Sequence, residues 1–198
     1  MILFQSICSQ QFEFKNKRNY LKNNDSKSFV FLSKNYLYKI NHKAKLIDSI
    51  YFELENNFDN FQLLKNKNYY LINSLGGQVY TSFNRKFNRI DNSFSHKSQI
   101  LSSLFIYNSI LYRFGGYGYF DSRNFITFFS EETMEWEVLK TNSKVFPPGL
   151  YNNKFFIHMD ALYVFGGYTL DNNNREKPIN NKEFWKFSFK NQNWTKIG

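Results

Sequence analysis

One phrase occurs twice in this chain and limits what it can fold into: Ile110-Leu111-Tyr112-Arg113-Phe114-Gly115-Gly116-Tyr117 and Ala161-Leu162-Tyr163-Val164-Phe165-Gly166-Gly167-Tyr168. Gly115 and Gly166 stand 51 residues apart, a period that belongs to arrays of stacked units rather than to one compact enzyme core. Each copy is followed by a tryptophan, Trp136 and Trp194, at the end of a second aromatic run. A unit repeated this way cannot hide both of its faces alone, so its neighbours must cover them.

Composition decides between helix and strand. Aromatic residues make up 21% of the chain, while Ala44 and Ala161 are its only alanines. Alanine is the best helix former and aromatics favour strands, so the class is all-β. The turns fall to Asn, Asp, Ser, Lys and nine glycines, and Asn tolerates the positive φ that tight hairpins need.

The last hundred residues parse into strands. Ser102 to Tyr107 and Ile110 to Phe114 flank the two-residue turn Asn108-Ser109, and Gly115-Gly116 end the second strand. Phe125 to Phe129 and Trp136 to Leu139 supply a third and a fourth. Four short antiparallel strands make one blade of a β-propeller. The next unit repeats the plan with Lys154 to His158, Ala161 to Phe165, Phe184 to Phe189 and Trp194 to Ile197. A polar insert, Asp171 to Pro178, lengthens its middle loop, and Pro147-Pro148-Gly149 suits an extended link between the two.

An earlier, degenerate copy carries Gly76-Gly77, with Phe87 where the others have tryptophan. Before it, Phe29 to Leu32 and Tyr36 to Ile40 read as a hairpin without a glycine pair. The expected division is 1–12, 13–55 (N-terminal strands, a partial blade), 56–95 (degenerate blade), 98–146 and 150–198 (two full blades). The architecture is thus an incomplete propeller of about three to four four-stranded blades.

This pattern resembles the kelch repeat of the galactose-oxidase-like β-propellers. The resemblance rests on the strand ending in Gly-Gly, the aromatic that follows, and the Thr133-Met134-Glu135-Trp136 ending; the last copy has Asn191 in place of the threonine. It implies a radial stack of blades in which Trp136, Trp194 and Phe87 are packing residues. Galactose oxidase uses copper beside a cysteine cross-linked to tyrosine. The single cysteine here, Cys8, lies outside every repeat, so that activity does not carry over.

Charge and titratable residues narrow the function further. Lys+Arg 26 against Asp+Glu 16 gives +10. The lysines are dispersed, the densest run being Lys15-Asn16-Lys17-Arg18, which reads as a solvated surface and disfavours nucleic acid as partner. One cysteine excludes an internal disulfide framework and a multi-cysteine zinc site. His42, His96 and His158 are far apart, so neither metal nor cofactor is expected. No apolar run reaches the ~18 residues of a membrane span. Residues 1–12 read as the end of an export signal without its basic head, or as an apolar first strand. The first reading places the protein in the periplasm, at the cell surface or outside; the second leaves it cytoplasmic.

Catalytic constellations are weak. Asp91 to His96 holds Asp, Ser and His in one polar stretch, which reads as a solvated turn rather than a triad. Glu131-Glu132 reads as a hairpin tip, and His158, on a strand, as a packed residue. Gly116-Tyr117-Gly118 reaches no third glycine and no helix, so it is not a nucleotide loop.

Propeller function sits on loops at one end of the blades. The candidates are Tyr117, Tyr119, Phe120 and Arg123 in one copy and Tyr168, Asp171 and Arg175 in the next. Gly76, Gly77, Phe87, Gly115, Gly116, Trp136, Gly166, Gly167 and Trp194 are the structural repeat residues. The expected function is a non-catalytic module that binds a protein or a glycan, completed by further blades or by self-association. Two alternatives remain: a sugar-processing enzyme similar to the sialate mutarotases, which the resemblance implies, and a basic nucleic-acid binder.

Overall fold

The structure, a computed structural model, describes residues 20–22, 28–33, 35–41, 43, 45–53, 60–92, 99–171 and 177–198. Residues 1–12 with Cys8, the Lys15 to Arg18 run, His42, His96 and Arg175 lie outside the described residues. Every regular element among them is a β-strand, in four antiparallel four-stranded sheets and two small ribbons. No helix there is long and apolar enough to cross a membrane.

The first sheet runs β1 (Tyr20–Lys22), β2 (Ser28–Ser33), β3 (Tyr36–Asn41), β4 (Leu46–Tyr51) in spatial order. The hairpin read from the sequence is its centre, β2 and β3. The structure adds a strand on each side. The second sheet is β5 (Phe61–Lys65), β6 (Tyr69–Asn73), β7 (Val79–Phe83) and β8 (Lys86–Arg89).

In the third repeat β9 (Ser103–Tyr107) and β10 (Ile110–Phe114) are followed by a ribbon, β11 (Tyr117–Gly118) with β12 (Asp121–Ser122). Then β13 (Ile126–Ser130) and β14 (Glu135–Val138) complete a sheet of order β14-β13-β10-β9. The fourth repeat has β15 (Lys154–His158), β16 (Ala161–Phe165), a ribbon of β17 (Tyr168–Leu170) with β18 (Pro178–Asn180), then β19 (Phe184–Ser188) and β20 (Asn193–Lys196). Both ribbons occupy stretches that the sequence reading left as loops.

The turns follow the residues at their corners. Asn108 and Ser109 take φ of 45° and 65°, and Met159 and Asp160 take 44° and 56°, so each hairpin closes with two left-handed residues. That twist matches the twist of the strands it joins. His158, expected to be packed, is exposed at the end of β15. Its position just before this two-residue turn puts it at the rim of the sheet.

Packing defines two units: Met1–Ile72 with Tyr80–Arg89, and Asn73–Val79 with Ile90–Gly198. The first has its own core, in which Val30, Leu32 and Leu37 meet Phe52, Phe61, Leu63, Leu71 and Phe87. The Phe52 and Phe87 rings lie 4.9 Å apart. Phe87 is thus a core residue at the place where the later copies carry tryptophan.

The second unit stacks the third sheet on the fourth. Phe105, Tyr112, Phe114 and Ile126 pack against Leu162, Val164, Trp185, Phe187 and Trp194, with Leu150 between. Trp194 lies 5.0 Å from Phe114 and 5.1 Å from Phe187. Side chains alternate across each strand, so Leu162 and Val164 turn one way and Tyr163 and Phe165 the other. Gly116 is needed at the crossing: its φ is 100°, and a Cβ there would come within 2.6–2.8 Å of the Gln99 backbone.

Candidate functional site

The site is built at the end of the second unit where the glycine pairs release the chain. Ile100 and Tyr117 exchange backbone hydrogen bonds of 2.7 and 2.8 Å, and so do Tyr151 and Tyr168, at 2.9 and 3.0 Å. Ile100 and Tyr151 are 51 residues apart, as are Tyr117 and Tyr168, so each repeat makes the same bridge. Asn152 N–H donates to Leu101 O at 2.9 Å and ties one bridge to the other. The result is a short ladder whose side chains share one surface.

Three of those side chains form a row. Tyr117 and Tyr151 have ring centres 5.8 Å apart, and Tyr151 and Tyr168 are 5.7 Å apart. Burial pushes the Tyr151 phenol up from its ordinary value, and the neighbouring Tyr117 and Tyr168 add to the shift. It therefore stays protonated at neutral pH, able both to donate and to accept. Beside the row lies a cleft of about 510 Å³, lined by Ile100, Leu101, Tyr117, Phe120, Tyr151, Leu170 and Pro178.

The loop candidates take different places. Tyr117 and Phe120 line the cleft, and Tyr168 continues the tyrosine row. Tyr119 and Phe120 form the tip of the β11–β12 ribbon, with φ of 52° and 62°, and Phe120 is 80% exposed. Arg123 braces the ribbon from below. Its Nη2 donates to Gly118 O at 2.9 Å and its N–H to Gly116 O at 2.7 Å. Asp171 stands half-buried at the end of β17, its N–H donating to Lys177 O at 3.3 Å. The sequence reading missed Ile100, Leu101, Tyr151, Leu170 and Pro178 of the lining; the signal for Tyr151 was its 51-residue offset from Ile100.

A second constellation is buried and structural. Arg113, 2% exposed, lies with its guanidinium 4.0 Å over the Trp136 ring and donates through Nε to Thr127 Oγ1 at 3.3 Å. Thr127 donates to Gln99 Oε1 at 2.6 Å, and Gln99 Nε2 to Gly115 O at 2.7 Å. Burial pulls the Arg113 guanidinium down to about 9, opposed by the charge of Asp91. It remains a cation at neutral pH, walled off from solvent. It knits the repeat together rather than facing a ligand.

Among the described residues no cluster of three or more His, Cys, Asp or Glu side chains could hold a metal ion. Among the described residues the cleft lining carries no carboxylate, imidazole or cationic group. What it can do chemically is desolvate an apolar group and hydrogen-bond its edge through tyrosine hydroxyls.

No protein-family model matches the chain, and no curated protein matches it. Among solved structures it is similar to that of YjhT, with a TM-score of 0.56 and 19% identity over 70% of this chain and 50% of that one. The match thus spans half the length of the solved neighbour. A likeness at this identity speaks for the fold alone, and with the four-stranded antiparallel sheets it makes this chain an all-β structure of the propeller type.

Proposed function

We propose that this chain is a set of kelch-type blades acting as a non-catalytic interaction module, and that its ligand enters the tyrosine-lined cleft of the second unit. The preferred occupant is an aromatic or large aliphatic side chain on an extended segment of a partner protein. One observation carries the reading: the described lining is aromatic and aliphatic, with Phe120 displayed at its rim and no acid or base among the described residues of its wall. Interface anchors have this character, a rigid apolar pocket with a polar handle at its edge.

The row of Tyr117, Tyr151 and Tyr168 favours a second reading, a glycan whose apolar ring face stacks on the phenols. A sugar-processing enzyme is the third, and it needs an acid or base from outside the described lining.

A phage-displayed library of random linear peptides, panned on the full chain, tests the first reading. Enrichment of peptides around one aromatic or aliphatic anchor is expected. Tyr151→Ala and Phe120→Ser should each weaken a selected peptide at least about tenfold. Failure to enrich, with binding on a glycan array that the same variants abolish, moves the function to the second reading. Mutarotation or hydrolysis of free sugars moves it to the third.

A further inference from the structure

We infer that two copies of this chain join head to tail, the outer aromatic face of the fourth sheet in one copy packing on the outer tyrosine face of the first sheet in the next. The inference stands apart from the cleft, none of whose residues takes part.

The repeat itself shows what such a face is for. Phe105, Tyr112 and Phe114 in the third sheet correspond, at 51 residues, to Phe156, Tyr163 and Phe165 in the fourth. The first three are 3%, 8% and 0% exposed, because the fourth sheet lays Leu162, Val164 and Trp194 across them. Their counterparts hold the same register on the opposite side of the fourth sheet. Phe156 and Phe165 are 44% and 40% exposed there. Phe156 stacks on Tyr163 at 4.7 Å and 5°, and Phe184 joins the group 5.9 Å from Tyr163. Single exposed apolar side chains are ordinary, but a contiguous aromatic patch in a register covered elsewhere in the same chain marks an interface.

The first sheet carries a matching face. Leu37 and Ile50 point into the core of their unit, so their neighbours on β3 and β4, Tyr36 and Tyr51, point out. These two rings meet edge-on at 5.3 Å, and are 41% and 45% exposed. Charge selects the pairing. On the fourth-sheet face Lys186 Nζ lies 5.7 Å over the Tyr163 ring. Packed against its own twin, this face would set lysine against lysine. Packed on Tyr36 and Tyr51, the ammonium finds further ring faces and phenol oxygens. A contact of two unlike faces is heterologous, so copies add until the arrangement closes or runs on as a filament.

Light scattering coupled to size-exclusion chromatography tests this on the full chain. The wild type should exceed the monomer mass, increasingly so with concentration. Phe156→Lys and the double variant Tyr36→Lys, Tyr51→Lys should each be monomeric alone. Mixed together, they should form a dimer and nothing larger, since each retains the face the other lacks. Unchanged circular dichroism and melting establish that the variants are folded; for one that is not, Phe156→Ser or Tyr51→Ser takes its place in the mixing experiment. A monomeric wild type overturns the proposal. So does a dimer that survives the tyrosine variant but not Phe156→Lys, which signifies two fourth-sheet faces packed together.

Discussion

The indole Nε1 of Trp136 donates to the carbonyl oxygen of Gly77 at 2.7 Å, across 59 residues of sequence. One repeat thereby closes on the glycine pair of the preceding one with a directed bond, and the Trp136 ring, 0% exposed, fills the space beside it. Two variants separate these roles. Trp136→Phe keeps most of the apolar area but leaves the Gly77 oxygen buried without its donor, at a cost of about 1–3 kcal/mol. Trp136→Ala removes the ring as well and should cost about 3–5 kcal/mol. Urea unfolding of both resolves the difference; a Trp136→Phe variant as stable as the wild type would mean that the bond contributes nothing.

Arg113 occupies the register of Val164 in the next repeat, so the chain holds a buried cation where its own pattern expects an aliphatic. Its planar fork reaches Thr127 Oγ1 while its face rests on Trp136. Lysine cannot do both. Arg113→Lys should therefore destabilise by about 1–3 kcal/mol at neutral pH. The pH dependence carries a sign. A buried base with a depressed pKa sheds its proton in the folded state first, so stability rises with pH between the folded and unfolded values. For Arg113 that rise begins only at about 9. For lysine, whose ordinary value is about 10.4, it should begin lower. The difference between the two proteins should shrink as pH rises from 7 to 9, measured by urea titration at each pH.

Glu183 anchors the outer edge of the last sheet. The Lys196 ammonium bonded to its Oε1 holds its carboxyl below the ordinary range, with help from the Trp185 indole donating to Oε2 at 2.9 Å. A carboxylate whose folded pKa is depressed contributes stability in full above its unfolded value, near 4.5, and loses it as pH falls through the folded one. The melting temperature of the wild type should accordingly drop faster below that pH than the melting temperature of Glu183→Gln. Parallel melting curves through the acid range would refute the assignment.

Much of this architecture was legible in the spacing of residues. The offset of 51 located β9, β10, β15 and β16 together, because a stacked repeat must keep its strands in register for its faces to meet. It fails where elements are shorter than their own pattern. Tyr117–Gly118 and Asp121–Ser122 are two-residue strands, too short for alternation to show. They are joined by Tyr119-Phe120 at positive φ, a turn for which sequence rules look to Asn or Gly. The flanking strands of the first sheet escaped for another reason. Tyr20–Lys22 is three residues long, and all but one residue of Leu46–Tyr51 are exposed, so neither writes an apolar stripe. Of the site, Tyr117, Phe120 and Tyr168 stood out as aromatics after a glycine pair. Tyr151 hid behind two prolines that read as a linker.

The two members of a glycine pair differ in a way the repeated motif conceals. Gly166 and Gly167 both take positive φ, 62° and 78°. A Cβ on Gly166 would meet nothing within 4 Å, whereas one on Gly167 would come within 2.7 Å of Asn153 Cα and N and of Tyr151 O. Only backbone strain opposes substitution at the first position, and Asn relieves much of it by tolerating the left-handed region. At the second, main chain from the start of the repeat would have to move, and it carries the Tyr151–Tyr168 bridge. Gly166→Asn should therefore cost less than about 1 kcal/mol. Gly167→Ala, which combines a left-handed φ with overpacking, should cost about 2–4 kcal/mol. Because that displacement reaches the tyrosine row, Gly167→Ala should also weaken binding of a cleft-selected peptide in protein that is still folded, whereas Gly166→Asn should leave it intact. Equal effects of the two, by urea unfolding and by peptide titration, would show that strain at positive φ, and not the close approach to Asn153, explains the second glycine.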